Sequence, residues 1–545
     1  MTEVAPRYAL LSVSEKNGIE NLAQQLQQLG FRIISTGGTY QKLKQAGVNA
    51  LEVSELTEFP EIMDGRVKTL QPKIHGGILG RIPQDSGLMQ EFNIPRIDVV
   101  VVNLYPFAAT VESGADFSEC IENIDIGGPC MIRAAAKNHA RVTVVVDHND
   151  YSKVIDALKN NSNEIPLNFR QQLAAKAFAH TASYDHLIQN YFQQQNFLVK
   201  DSSDKYTVEN KSNDSISDVE KLFPQKFQLE LERIQILRYG ENPHQGGATY
   251  RCVQTNPNSM MLAEEGVIHG TFIQGKTLSY NNLVDAQAAV DCLEDFELPS
   301  CVIVKHANPC GVATADTLLA AYQRAFATDP TSAFGGIIGF NYEVDADVAN
   351  DIVQRQFLEV VVAPAFSAEA VSVFKSKPNV RIVAYPKQHQ NTFELKTLNG
   401  GFLLQQRDCA KINDCTLQIV TSHQPSEHLM QDLLFAWRVA KHVKSNAIVY
   451  AREGATLGIG AGQMSRIDSA RIAIQKAAEF KLPIKNAVMA SDAFFPFRDT
   501  VDWAAKQGIS AIIQPGGSIR DNEVIQAANE AGIAMVFTGI RHFKH

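Results

Sequence analysis

The sequence predicts an α/β protein built as two large domains, and three observations predict it. Short apolar, β-branched runs alternate with amphipathic stretches along most of the 545 residues. Composition is that of a globular chain, with 45% hydrophobic and 20% charged residues. A polar span rich in Ser, Asp, Asn and Lys at about 201–220 interrupts the pattern, which then restarts. The expected organisation is a domain over 1–199, a linker at 200–220 and a second domain over 221–545. Both are long enough to bury a full core.

The first domain opens on an apolar run, Tyr8 to Val13, read as a strand. The polar turn after it, Ser14 to Gly18, leads into a helix from about Ile19 to Leu29, stopped by Gly30. Phe31 to Ser35 is a second strand, followed by Thr36-Gly37-Gly38-Thr39, a helix and Gly47. Strand, helix, strand, helix means a parallel sheet with right-handed crossovers. The continuous valines between Ile97 and Leu104 mark a central strand, and Arg141 to Val146 another. Phe169 to Phe192 has helical periodicity, with Leu173, Ala177 and Leu187 on one face. Past the linker come a hairpin-like region from Phe227 to Tyr250 and then alternating strands and helices to the end. Strand-like runs stand at Ala447 to Tyr450 and Ile509 to Ile513, and no internal repeat is visible.

Several function classes are excluded or disfavoured. A net charge of −9 argues against a nucleic-acid binder, which needs a basic surface. The eight cysteines form no Cys-x-x-Cys, so neither a disulfide framework nor a zinc ribbon is suggested, and reduced thiols in a cytoplasmic protein are expected. Met1 to Lys16 carries Glu3, Arg7 and Glu15 and does not read as a signal peptide. No apolar run is long enough to span a bilayer, so no membrane partner is expected. Neither a Walker pattern nor Gly-x-Gly-x-x-Gly is present, which disfavours an NTPase or a dinucleotide enzyme.

Three loops of the first domain can make one anion site: Ser12 to Lys16, Thr36 to Thr39, and Arg66-Val67-Lys68-Thr69. Glycines after a strand let backbone amides approach a phosphate, and lysines add charge. Further on, Asn103 and Tyr105 follow the valine strand, Asp125 precedes a Gly-Gly-Pro helix start, and Lys137 lies on that helix. Tyrosine, carboxylate and lysine are proton-transfer groups, although Asp125 also reads as a helix cap and Lys137 as a solvated charge. In the second domain the run Cys301 to Val304 reads as a buried strand that stops at Lys305 and His306. Asn308, Pro309 and Gly311 then predict a turn. Sites in open α/β sheets lie beyond the carboxyl ends of strands. A cation there should hold the neighbouring imidazole neutral, the state a general base needs.

The chain resembles the bifunctional purine-biosynthesis family of AICAR transformylase/IMP cyclohydrolase enzymes. "SVSEK", "STGGT", "GRVKTLQPKIHGGIL", "VNLYPF", "IDIGGP" and "RAAAKNHARV" match the cyclohydrolase half in order. "RYGENPHQ", "VKHANPCGVA", "DPTSAFGG", "SNAIVYA", "GIGAGQMSRIDSARIA", "SDAFFPFRD" and "TGIRHF" match the transformylase half, so the resemblance covers essentially all 545 residues. It implies a doubly wound amino-terminal domain similar to methylglyoxal synthase, and a second domain of tandem cytidine-deaminase-like α/β units. It implies formyl transfer from 10-formyltetrahydrofolate to AICAR, giving FAICAR, then closure of FAICAR to IMP with loss of water. Lys68 would meet the developing oxyanion while Tyr105, Asp125 and Lys137 arrange proton transfers. Ser14, Lys16, Thr36, Gly37, Gly38, Thr39, Arg66, Val67, Thr69, Asn103 and Ile126 would line the nucleotide site.

In the transformylase half the resemblance makes His306 the base, Lys305 its partner and Asn446 the oxyanion donor. Arg238, Tyr239, Gly335, Glu359, Arg466, Phe494 and Arg541 match AICAR contacts, and Ile467, Ser518 and Ile519 match folate contacts. Glu359 stands where the family pattern has Asp. The deaminase-like fold raises the question of zinc. The deaminase motif needs His-x-Glu and Pro-Cys-x-x-Cys; no histidine here is followed by x-Glu and position 313 is Ala, so no zinc is expected and Cys310 reads as a packed residue. No monovalent cation is specified by these motifs. A homodimer is implied by the family alone. Two other readings are a methylglyoxal-synthase-type lyase, which leaves 221–545 unused, and a nucleotide-sensing regulatory module, which leaves Lys68, Tyr105, Asp125 and Lys137 unexplained.

Overall fold

The computed structural model describes residues 6–194, 223, 229, 231–252, 266–386 and 393–545. The chain falls into two compact units, Met1–Phe227 with Gln254–Ser259, and Gln228–Val253 with Met260–His545. The linker expected at 200–220, and the boundary with it, lie outside the described residues.

In the first unit β1 (Arg7–Val13), β2 (Phe31–Ser35), β3 (Ala50–Glu52), β4 (Arg96–Asn103) and β5 (Thr143–Val145) form a parallel sheet. Its order is β3-β2-β1-β4-β5. β4 is buried along its six central residues, as its continuous valines require when helices cover both faces. One face packs on helices Ile19–Gln28 and Tyr151–Asn160 and the other on Pro72–Leu79 and Gly127–Lys137. The long helix Leu167–Gln194 buries Leu173 and Ala177 and half-buries Leu187. The strand order reverses between β1 and β4, which opens a crevice at the carboxyl ends of both.

The second unit contains a hairpin, β6 (Leu231–Ile236) with β7 (Ala248–Cys252), and a twelve-stranded mixed sheet. One half of that sheet is β8 (Thr271–Gln274), β9 (Ser300–Lys305), β10 (Asn308–Thr314), β11 (Ile337–Phe340), β12 (Val360–Ala363) and β13 (Arg381–Ala384). A separate ribbon, β14 (Phe393–Leu398) with β15 (Gly401–Gln406), follows. The other half is β16 (Gln418–Ile419), β17 (Ile448–Arg452), β18 (Ala455–Gly460), β19 (Val488–Ser491), β20 (Ala511–Gln514) and β21 (Ala534–Phe537). The order is β16-β21-β20-β19-β17-β18-β10-β9-β11-β12-β13-β8, with the two hairpins meeting antiparallel at β10 and β18.

This sheet corrects the expectation that the chain has no internal repeat. Each half runs helix, hairpin, helix, strand, helix, strand, helix, strand. Ser279 and Ser426 cap the opening helices, and Asp285 and Asp432 each follow the cap by six residues. Asp285 accepts the Ala307 N–H (2.6 Å), and Asp432 accepts those of Glu453 (2.8 Å) and Gly454 (2.9 Å), in the two hairpin turns. The spacing from Ser279 to Ser426 also relates Asp295 to His442, and these two side chains touch at 2.7 Å. Equivalent residues in contact place a local two-fold axis between them.

The turn expected at Asn308, Pro309 and Gly311 is also corrected. These residues belong to β10, and the chain reverses at His306 and Ala307. Both have left-handed φ values, +52° and +58°, as a two-residue hairpin loop with the sheet's twist requires. Pro309 is tolerated because the ladder slips between Pro309 and Gly311. Gly311 is required by packing, since a Cβ there would stand 2.0 Å from the Ala325 carbonyl oxygen.

Candidate active sites

In the first unit the crevice is tied together by Asn103, the last residue of β4. Its Oδ1 accepts the N–H groups of Ser14 (2.6 Å) and Glu15 (3.1 Å), and its Nδ2 donates to Glu15 O (3.0 Å). One side chain therefore fixes the loop after β1 against the end of β4. Thr39 Oγ1 donates to Val13 O (2.9 Å) and accepts Val13 N–H (3.0 Å), and the Ser12 and Thr36 hydroxyls meet at 2.8 Å. Two ammonium groups lie over Gly37 and Gly38. A Cβ on Gly37 would stand 2.9 Å from Lys68 Nζ, and one on Gly38 would stand 3.7 Å from Lys16 Nζ. Gly37 also has φ +42° and opens helix Gly37–Gln45. Free helix N–H groups with two cations alongside suit a phosphate.

Lys68 Nζ pairs with Glu61 Oε2 at 2.5 Å. Arg66 pairs with Glu122, and Val67 is half-buried. Thr69 Oγ1 lies 2.6 Å from where a Cβ on Gly127 would be, so this segment packs directly on the start of helix Gly127–Lys137. Asp125 accepts the N–H of Gly128 (2.8 Å) and that of Tyr105, while its own N–H donates to Tyr184 Oη (2.8 Å). Burial pushes the Asp125 carboxyl above its ordinary pKa despite those two donors. Tyr105 is half-exposed and Ile126 exposed beside it. Lys137 does not join this group within one chain, contrary to the expected set. It ends the eleven-residue helix that starts just after Asp125. At about 1.5 Å per residue the two ends are roughly 15 Å apart, beyond a lysine's reach.

In the second unit Lys305 closes β9 and its Nζ donates to the carbonyls of Phe334 (3.1 Å) and Gly335 (3.2 Å). His306 follows at the tip of the turn. Burial raises the Asp285 carboxyl beneath the turn above its ordinary pKa, against the N–H donors of Ala307 and His306. Lys305, His306, Asn308, Cys310 and Gln463 line a cavity of about 350 Å³. Asn446 reaches it through Gln463, whose carbonyl accepts Asn446 Nδ2–H at 2.9 Å, and Ser469 Oγ holds the Asn446 carbonyl at 2.7 Å. The wall thus comes from β9–β10 of one half and from the segments flanking β17 and β18 of the other. Burial pushes the Cys310 thiol up to about 12, so it stays protonated at neutral pH. Among the described residues no group of three or more His, Cys, Asp and Glu could hold a metal ion.

The other expected contacts do not line this cavity. Arg466 is buried, pairs with Asp492 and donates Nε–H to Phe494 O (3.0 Å), so much of its guanidinium is already engaged. Asp492 O accepts His542 N–H (2.9 Å), next to Arg541, whose guanidinium lies 4.4 Å from the Phe543 ring centroid. Glu359 accepts Asn282 Nδ2–H at 2.8 Å and lies 3.7 Å from Arg381. Its longer side chain is therefore anchored to helix Tyr280–Leu293. Gly335 and Glu359 precede β11 and β12, so these expected contacts stand at strand amino ends, which the carboxyl-end rule for parallel sheets does not anticipate. Arg238 lies over Tyr239, on a loop whose Glu241 carbonyl accepts from Asn281 (3.2 Å). Ile467 and Ser518 are half-buried and Ile519 is fully exposed, on segments after β18 and β20.

Residues 135–476 match the family described as AICARFT/IMPCHase bienzyme, and residues 18–130 match the MGS-like domain. The chain belongs to the AICARFT/IMPCHase bienzyme family. It is a bifunctional enzyme of purine biosynthesis, a formyltransferase and a cyclohydrolase, and the family's formyl donor is 10-formyltetrahydrofolate. A lyase or a sensing module is not favoured, because the bienzyme match continues through most of the second unit. A solved structure titled "Crystal structure of ForH" is 37% identical, over 34% of this chain and 100% of that one, with a TM-score of 0.32. No helix of the described residues is long and apolar enough to cross a membrane.

Sequence reasoning missed several residues of the bienzyme's sites: Glu61 beside Lys68, Tyr184 beneath Asp125, Asp285 beneath the hairpin turn, and Gln463 with Asp492. Only Asp285 leaves a local signal. Ser279, Asp285 and Lys305 have the same spacing as Ser426, Asp432 and Arg452. Tyr184 and Asp492 contact partners far away in sequence, and Glu61, seven residues before Lys68, carries no motif of its own.

Proposed function

We propose that the first unit closes FAICAR to IMP and the second formylates AICAR, with the residue roles below. In cyclisation the carboxamide nitrogen attacks the formyl carbon, and the formyl oxygen takes up negative charge, then two protons, one given up by the attacking nitrogen and one by the formamide nitrogen, and leaves as water. The Lys68 ammonium stabilises that oxygen more in the transition state than in the ground state. Asp125, raised in pKa by burial, and Tyr105 carry the protons. Thr36 to Thr39, Ser14, Lys16 and Arg66 bind the phosphoribosyl end, which keeps the reacting groups in contact.

In formyl transfer His306 takes the proton of the AICAR 5-amino group as its nitrogen attacks the formyl carbon. The oxyanion is met by the second Nδ2–H of Asn446, whose first is held by Gln463. The bond to folate N10 breaks and N10 takes a proton, with Lys305 on its path. Arg238, Tyr239, Gly335, Glu359, Arg466, Phe494 and Arg541 hold AICAR, and Ile467, Ser518 and Ile519 hold the folate. The observation carrying this reading is the single cavity shared by Lys305, His306 and Gln463. The chain acts as a cytoplasmic homodimer. The distance between Asp125 and Lys137 in one chain supports an assembly in which Lys137 serves a second copy.

The experiment supplies AICAR and 10-formyltetrahydrofolate and follows FAICAR and IMP separately. Lys68→Ala should stop IMP formation while FAICAR accumulates at the native rate. His306→Ala should lower formyl transfer by about two to four orders of magnitude while added FAICAR still closes. Equal loss of both activities in folded variants would refute the assignment.

A further inference from the structure

One ion pair on the wall of the formyl-transfer cavity has no part in the chemistry above. Asp329 belongs to the "DPTSAFGG" motif, of which only Gly335 has been given a role. It is 4% exposed and caps the short helix Pro330–Ala333. Its Oδ1 accepts Ser332 N–H (2.9 Å), and its Oδ2 accepts Ser332 Oγ–H (2.6 Å) and Lys476 Nζ–H (2.6 Å). Lys476 lies on helix Arg466–Glu479, in the other half of the sheet. Asp329, Ser332 and Lys476 line the same cavity as Lys305 and His306. The helix that Asp329 caps runs directly into Phe334 and Gly335, the two carbonyls that hold Lys305 Nζ.

We infer that the Lys476–Asp329 pair is a clamp between the two halves that fixes the Phe334–Gly335 carbonyls, so that Lys476 is a positioning residue for Lys305. The physical reason is twofold. The capping turn and the carbonyls are one short rigid segment, so anchoring its first residue sets the position of its last. Burial disfavours the Asp329 charge, and Lys476 with Ser332 outweighs that effect, leaving the carboxyl below its ordinary pKa. Without Lys476 the buried carboxylate lacks its cation, and the Lys305 ammonium on the same cavity wall becomes its alternative partner. Lys305 would then leave Gly335 for Asp329. Arginine at 476 keeps the charge and so should keep the clamp.

This inference rests on the proposed role of Lys305, and the test separates the two. Formyl transfer is measured on the full chain for Lys476→Met, Lys476→Arg, Lys305→Ala and the double variant Lys305→Ala/Lys476→Met. Closure of added FAICAR, which the first unit performs, is the folding control. Lys476→Met should lower kcat for transfer by about tenfold or more with little change in KM for AICAR, and Lys476→Arg should recover most of it. In the Lys305→Ala background Lys476→Met should have almost no further effect, as expected when two groups act through one another. Asp329→Asn, nearly isosteric, should behave as Lys476→Met does and serves if that variant fails to fold. The same fractional loss with and without Lys305, or near-native transfer in Lys476→Met, overturns the clamp alone. Near-native transfer in Lys305→Ala overturns the role of Lys305 and the clamp with it.

Discussion

The side chain with the most constrained surroundings in the formyl-transfer site is Lys305. Its ammonium sits between two main-chain oxygens, at 3.1 and 3.2 Å, and a single Cβ added to Gly335 would come within 3.3 Å of it. That space suits a compact ammonium; a planar guanidinium with five donors does not fit it. Lys305→Arg therefore tests whether positive charge alone suffices beside His306. The expected outcome is a loss of formyl transfer close to that of Lys305→Ala at every pH from about 5 to 9, because the ammonium's placement, and its proton, are both needed. Near-native rates in the Arg variant would show that Lys305 acts only by its field.

The hairpins show which parts of the fold and site were legible in sequence and which were not. Strands β1, β2, β4, β9 and β20 were readable as short continuous apolar runs, β-branched along most of β4 and β9. The nucleotide loops of the first unit were readable because glycines after parallel strands have few other uses. The β9–β10 turn was misread because Asn, Pro and Gly are turn residues by local chemistry, whereas here tertiary contacts decide. His306 and Ala307 hold a left-handed conformation that gives no sequence signal, supported by Asp285 on another element. The repeat was invisible because what it conserves is spacing and backbone contact, kept by few identical residues. Gly311 and Gly458 are among those few. A Cβ would stand 2.0 Å from Ala325 O in the first case and 2.2 Å from Ala473 O in the second. Both hairpins thus lie directly on the helix that follows. Alanine at either position should destabilise the second unit by about 1–3 kcal/mol or more, through forced separation of strand and helix. Thermal unfolding of each variant measures it, and an unchanged midpoint would show that the helices can withdraw freely.

Across the second unit as a whole, the two halves are joined close to their local axis by Asp295, Lys441 and His442. Asp295 accepts from His442 Nε2 at 2.7 Å and pairs with Lys441 at 3.1 Å, the side chains of all three being largely buried. Burial pushes the Asp295 carboxyl up, but the His442 and Lys441 donors outweigh it and hold it down to about 2, against an ordinary 3.8. Burial also lowers the His442 pKa from its ordinary 6.5, more than the nearby carboxylate raises it. The joint is therefore a neutral imidazole donating to a carboxylate, with an ammonium alongside. Both folded values lie below the unfolded ones, so the two contributions have the same sign. Each is fully present above the unfolded pKa and is lost as pH falls towards the folded one. His442 starts to weaken the unit below about pH 6.5, and Asp295 adds its loss between about 3.8 and 2. Unfolding midpoints measured from pH 8 down to 4 should fall for the native chain. Asp295→Asn should be less stable at pH 8 because it leaves Lys441 without its carboxylate. Its midpoint should also depend differently on pH, since the amide no longer titrates and no longer opposes the effect of burial on His442. Coincident curves for the two proteins would mean that this contact between the halves contributes nothing to holding the sheet together.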